Sequence, residues 1–589
     1  MTAGWRAAVA LLLGLASAGT AQELKEPLTA SAAFVDDTGQ SLAEITPGVP
    51  FRIRLQFQAA MGSVPSDLRP MAWLRQPGQG DLTCAETAAA YRASGSAALG
   101  SVDLNGPVLA VLARDGALSV LDPQRSLGSA NLLAAHLFQE GAPADMVADP
   151  QSGRFLLSLP ARGEVVAMTP YGQMQPVARG LDRPGALLAA ASGGAWLIEE
   201  GSGDLLRLGA GTTARWPLGA RALVGDAAAG PARRVAVLAG DKVVVLQDDG
   251  TTLLNHPAPG ALAVGLGPDA VMWLRPGRLH LLWLDTPERE VQIALPGNFD
   301  RLAVSPQGRM IYLFAHDRSG FAVLDLALGR VVQGAETASP VAEVAFLPDT
   351  AMLRLQDQSV VGVMDLRLVR PDAEAAMGQV ALGPPQPVWD GGLQRLLVPL
   401  LPEPAMLAIH ADSFTGFVLD ARNALSNRPP MEAMRLRGGI PRMASVLDRS
   451  LRPQGPGQFI AAASLPRPGP WQLVVSAGLG QAAFCALLPV APGEQPPALP
   501  QGRITAQTQP DGTLRLRLLR DDGQPVADLT GWVDMAALIG NWRQRQPFQT
   551  DSSGLTRQGW KLDGMRPLVV TVSADTAVEF PPLMLEEPR

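Results

Sequence analysis

Five histidines are the residues best suited to acid–base or metal chemistry, at positions 136, 256, 280, 316 and 410. No pair has the HExxH or HxxxH spacing of a metal site, so any site they join must be assembled by the fold. His136 and His280 lie inside apolar, strand-like runs and read as packed residues. His316, followed by Asp317, falls in a loop between the second and third strands of a repeated unit. His256 falls between the fourth strand of one unit and the first strand of the next. In a ring of such units those two loop classes open on one side, which makes His256, His316 and Asp317 the candidate cofactor-binding residues. There is no GxSxG and no glycine-rich phosphate loop, and no carboxylate pair is revealed by spacing. No residue is therefore assigned as catalytic or as a resident metal ligand, and the expectation leans away from an enzyme.

The only cysteines are Cys84 and Cys485. In an oxidising compartment a bridge between them is expected; two buried free thiols, or a thiol pair holding a metal, are the alternatives. On the chain-entropy view, closing so long a loop contributes about 4–5 kcal/mol. The compartment is read from the N-terminus. Arg6 precedes an apolar run from Ala7 to Ala18, and Ala16-Ser17-Ala18 or Gly19-Thr20-Ala21 offers small residues for cleavage. Residues 1–21 are read as a signal peptide delivering the chain to the periplasm, with a short membrane anchor as the alternative. No later apolar run is long enough to span a bilayer, so no transmembrane segment is expected after cleavage.

The elements that must position these residues are many and short. The chain has 589 residues, 47% hydrophobic and 17% charged, with 61 Gly and 52 Pro, a usage that suits strands joined by tight turns. A formal charge of −7 without a basic stripe argues against nucleic acid as a partner. A β-rich segment recurs at Ala117, Glu164, Asp204, Lys242, Arg278, Gly320, Ser359 and Ala405, each time read as a third strand. A period of about 40 residues with several strands per unit is the mark of β-propeller blades. The fold class is thus all-β: a seven- or eight-bladed β-propeller flanked by small, immunoglobulin-like β-sandwiches. The expected division is 22–100 N-terminal sandwich, 101–425 propeller, 426–495 immunoglobulin-like sandwich and 496–589 C-terminal sandwich. Alternating strands such as Phe51-Arg-Ile-Arg-Leu-Gln-Phe57 and Leu514-Arg-Leu-Arg-Leu518 mark the flanks.

The stretch "SPQGRMIYLF" from Ser305 resembles a YVTN-type blade, while the Gly-His and Trp-Asp signatures of WD40 repeats are absent. Pro429-Pro430-Met431, Arg437-Gly438-Gly439, Val446 to Leu451 and Phe484-Cys485 resemble the end of periplasmic cytochrome d1-like propeller proteins. Arg69-Pro70, Trp73 and Asp103-Leu104-Asn105 are similar to their front end. The resemblance covers most of residues 45–490. It implies a tetrapyrrole over the channel, with His256 or His316 as axial ligand and Arg114, Arg162 or Arg275 pairing its carboxylates. This chain departs from that pattern in having no CxxCH haem c motif. For the cofactor, no bound group is the first expectation, with haem d1 or copper as alternatives. Met431, Met434 and Met443 are loosely grouped, a spacing that more often means core filling than a Cu(I) site. The leading functional reading is an exported scaffold that binds a partner protein and assists maturation of a redox or metal enzyme. The rival is a tetrapyrrole or metal carrier or oxidoreductase.

Overall fold

The computed structural model describes residues 28–585 apart from 37, 78–81, 95–100, 124–131, 139, 210–212, 227–229, 372, 402, 422–431, 479–481, 492–501, 538–542, 563–567, 575–577, 579, 581 and 582. The expected signal peptide lies outside the described residues, as does the Pro429-Pro430-Met431 part of the family resemblance.

Most of the described chain is a ring of antiparallel four-stranded blades. Six form separate sheets, and a seven-stranded sheet supplies two more, giving eight. In that larger sheet one strand, Arg330–Leu347, is the outermost strand of blade 6 in its first half and the innermost strand of blade 7 in its second. Blades 2 to 5 span 146–179, 184–216, 220–257 and 263–294; blade 8 spans 397–435. Blade 1 is composite. Its innermost strand, Pro441–Asp448, comes from the far end of the ring and pairs with Pro107–Ala113, which is followed by Ala117–Leu121 and Leu132–Leu137.

Apolar packing shows that the ring closes. Each pair of adjacent blades encloses its own core, and Leu109, Val111 and Ala444 of blade 1 meet Leu396, Leu407 and Ile409 of blade 8. Being covered on both faces explains why strands such as Pro107–Ala113 and Met310–Ala315 are buried almost throughout and do not alternate. The turn at Gln307-Gly308 shows how closely blades approach: Gly308 has φ +71°, and a Cβ there would come within 2.6 Å of Pro268 in the preceding blade.

The number of blades, expected as seven or eight, is eight, and two sequence expectations are corrected. Ala405–His410 is the second strand of blade 8, and its third is Thr415–Asp420, because a long connection before Leu397 shifts the register of the repeat. The two sandwiches expected at 22–100 and 426–495 are one. Phe51–Ala59 pairs with Leu28–Val35 on one side and with Gln458–Ala463 on the other, while Met71–Arg75 pairs with Gln472–Ser476. Both sheets share a core built from Ile53, Leu55, Phe57, Leu74, Phe459, Trp471 and Leu473. Chain entry and exit are side by side because the propeller is closed between them. A helix, Cys84–Ser94, also lies inside the first segment, packing Ala88 and Tyr91 near Trp73 and Val474. Cys84 at its start is bonded to Cys485 on the edge strand Ala483–Leu487, with the Cα atoms 5.9 Å apart.

Residues 502–585 form a further β unit. Gly502–Thr508 pairs with Leu514–Arg520, and Thr530–Ala537 is flanked by Arg543–Gln549 and Leu568–Ala574, around a core of Leu516, Leu518, Val533, Phe548 and Val570.

Candidate functional site

The two faces of the ring are not equivalent. The sandwich sits against turns joining first to second and third to fourth strands in blade 2: Arg452 donates to the Pro150 carbonyl (2.8 Å) and Gln173 to that of Pro466 (2.7 Å). The opposite face, formed by second-to-third turns and blade-to-blade connections, carries the candidate residues.

His256 is placed one residue before the end of a strand, Thr252–Pro257, not in the loop beyond it, because that strand stays paired with Lys242–Gln247 up to Pro257. Its Nε2 lies 3.1 Å from Glu290 Oε2, and His280 Nδ1 lies 2.6 Å from Glu290 Oε1. One carboxylate from blade 5 thus joins an imidazole of blade 4 to a buried imidazole of its own blade. The buried Trp273 contacts both rings, at 5.4 Å from His256 and stacked at 5.5 Å from His280. Burial works to raise the Glu290 carboxyl, but hydrogen bonds from His280, His256 and Gln292 outweigh it and hold the group below its ordinary range.

His316 stands in the exposed second-to-third turn of blade 6. Its Nδ1 bonds Asp300 Oδ2, its backbone N–H donates to Asp300 Oδ1 (3.1 Å), and its carbonyl accepts from Gln356 of blade 7 (2.6 Å). Asp317 is exposed in the same turn. His256 and His316 therefore answer to different carboxylates in different blades. Among the described residues, no three or more His, Cys, Asp or Glu side chains are placed to hold a metal ion. Of the grouped methionines, Met443 is in the core between blades 1 and 2 and Met434 packs on that between blades 8 and 1, while Met431 lies outside the described residues. Of the arginines proposed to clamp a tetrapyrrole, Arg162 is already 2.9 Å from Glu164, and Arg114 has the indole of Trp389 beside it.

The feature that residue-by-residue reading missed is the connection 382–396 between blades 7 and 8. It is longer than the other blade-to-blade connections and is held in place by a buried histidine. The His410 ring, 1% exposed, bonds the Gln386 side chain, the Pro384 carbonyl (3.0 Å) and the Ser413 hydroxyl (2.9 Å). Gly383 lets that ring approach: a Cβ there would come within 2.7 Å of Nε2. At the far end Arg442 donates to the Leu393 carbonyl (3.1 Å), and Arg395 bonds Asp145 of blade 2 across the seam where the ring closes. Burial pushes the Asp145 carboxyl above its ordinary range even with Arg395 beside it. Between these anchors Val388 is 62% and Leu393 47% exposed, with Trp389 half-buried against Arg114 of blade 1. The sequence signal was present in the spacing: the repeat step stretches here, and a Pro/Gly-rich segment carries a tryptophan.

These observations define the class of the protein: an eight-bladed β-propeller with a two-segment β-sandwich against one face and a C-terminal β unit. No protein-family model matches the sequence, and no curated protein matches it. Among solved structures, apo AztD from Citrobacter koseri is similar over 59% of this chain and 98% of its own, with 12% identity and a TM-score of 0.44. Virginiamycin B lyase from Staphylococcus aureus is similar over 41% of this chain and 85% of its own, with 10% identity and a TM-score of 0.32. Hsv2p from Kluyveromyces lactis is similar over 47% and 92%, with 9% identity and a TM-score of 0.33. All three are β-propeller proteins. No helix among the described residues is long and apolar enough to cross a membrane.

Proposed function

We propose that the protein is an exported binding scaffold that receives a partner protein on the propeller face carrying residues 382–396. One observation carries this reading: a long connection pinned at both ends by buried polar groups that nevertheless presents Val388 and Leu393 to solvent. Beside those aliphatics stand a tryptophan and an arginine, the residue types most enriched where interfaces carry their binding energy. Export is supported by the N-terminal sequence and by the Cys84–Cys485 bond, which suits an oxidising compartment. The narrower role in this proposal is to assist maturation of a redox or metal enzyme. The carrier reading has less support, since His256 and His316 are separately engaged by Glu290 and Asp300.

The test is site-specific photocrosslinking in the native host. A photoreactive residue at 388 is compared with one at Leu328, which is 48% exposed in a third-to-fourth turn on the other face. A discrete protein adduct at 388 and not at 328 supports the reading. No adduct at 388, or the same products from both positions, contradicts it.

A further inference from the structure

We propose that Arg114 and Trp389 form a carboxylate-binding site, where the partner places a carboxylate flanked by an aliphatic side chain. This deepens the scaffold reading and rests on it.

The argument starts from unmet hydrogen bonding. Arg114 lies in the second-to-third turn of blade 1, its backbone N–H held by the Ile440 carbonyl (2.9 Å). Its Nε and Nη2 are buried and have no hydrogen-bond partner among the described residues. Those two N–H groups are the parallel pair on one edge of a guanidinium, the edge that grips a carboxylate side-on with two bonds. Among the described residues Arg114 is the one arginine with both donors of that edge buried and unfilled. The nearest carboxylate, Asp412, approaches Nη1 only to 3.9 Å and addresses a different edge. Burial works against the Arg114 charge and Asp412 only partly offsets it, so an incoming anion meets an under-compensated cation.

The surroundings define the rest of the ligand. The indole of Trp389 sits 5.4 Å from the guanidinium carbon, a cation–π distance, against the face of the guanidinium. It can lie there because residue 391 is glycine: a Cβ at Gly391 would come within 2.5 Å of the indole. The exposed Val388 and Leu393 on the same loop suit an aliphatic neighbour of the bound carboxylate. The ligand displaces the indole and takes up the Nε and Nη2 donors. Its carboxylate comes from a chain terminus or from an acidic side chain, which the experiment separates.

The full chain is labelled with 5-fluorotryptophan, and the residue 389 resonance is assigned with Trp389→Phe. Acetyl-Val-Leu with a free carboxylate, its C-terminal amide, and acetyl-Glu-Leu-amide are titrated while 19F spectra are recorded. A saturable shift of the 389 signal is expected with one or both carboxylate peptides and not with acetyl-Val-Leu-amide. Response to the first alone assigns a chain terminus, and response to the third alone an acidic side chain. Arg114→Gln should weaken binding at least about tenfold, as loss of a bidentate charged pair implies. Gly391→Ala, which prevents the indole from lying back, should strengthen it. An equal response to the amide, or an unchanged response in folded Arg114→Gln, overturns the proposal. If the residue 388 adduct forms while the fluorotryptophan stays silent, the scaffold reading stands and the carboxylate site falls.

Discussion

Glu290 of blade 5 holds His256 of blade 4 through Oε2 and His280 of its own strand neighbour through Oε1, so one side chain fastens the seam between two blades. Its carboxyl is held below the ordinary range in the folded protein. A depressed carboxyl pKa contributes stability that is present above the unfolded value and is lost as pH falls through the folded value. Glu290→Gln should therefore cost about 1.5–3 kcal/mol at neutral pH, the scale of hydrogen bonds to a charged group. The gap between variant and wild type should close at pH values below the ordinary glutamate range. Urea melts across pH measure this; a gap that stays constant or widens on acidification would show that the carboxylate is not the fastening group.

The closing strand leaves the ring through a buried ion pair, Arg449 Nη2 to Asp122 Oδ2 at 3.3 Å, with both side chains nearly inaccessible. Arg449 also faces the buried Asp103, so removing the arginine takes the counter-charge from two carboxylates and costs about 3–5 kcal/mol. Arg449→Met should be destabilising on that scale, and the double change Arg449→Met with Asp122→Leu less so, because one of the two carboxylates is gone. Equal losses in the single and double variants would mean that packing, not charge compensation, sets the energy.

The Cys84–Cys485 bond spans the whole propeller in sequence and joins the helix Cys84–Ser94 to the edge of the sandwich. Removal of native disulfides costs about 2–5 kcal/mol, and so long a loop places this one at the upper end. The Cys84→Ser, Cys485→Ser variant should melt at lower denaturant and with a steeper slope, since the unfolded chain without the cross-link exposes more surface. A wild-type sample yielding two free thiols by mass spectrometry after export would contradict the bond itself.

His410 bears on function through the loop it holds. His410→Leu removes the bonds to Pro384 and Gln386 and should free the connection 382–396. Chymotrypsin should then cut at Trp389 several times faster under native conditions, while the ring stays closed. Cleavage there at the wild-type rate would show that the other anchor, Arg442 on the Leu393 carbonyl, suffices.

Local pattern made the ring visible and hid its joins. Runs such as Met310-Ile-Tyr-Leu-Phe314 are apolar on both faces because each blade is covered by two neighbours, so the repeat announces itself in composition. The pairing of Phe51–Ala59 with Gln458–Ala463 leaves no such mark, since register between distant segments is decided by tertiary packing. The same limit applied to the site. His256 and His316 were conspicuous as rare residues, yet each is engaged by a carboxylate, Glu290 or Asp300, that no spacing connects to it. Trp389 and Arg114 meet only because the ring closes and brings blades 8 and 1 together around the connection that holds the indole.

The central claim, that the connection 382–396 is where a partner protein docks, is tested most directly by the photocrosslinking comparison. The expected result is a stoichiometric adduct with one protein from residue 388, absent from residue 328 and abolished when Leu393 is changed to Asp. An adduct that survives Leu393→Asp, or none from residue 388 in cells making the protein at its native level, would contradict it.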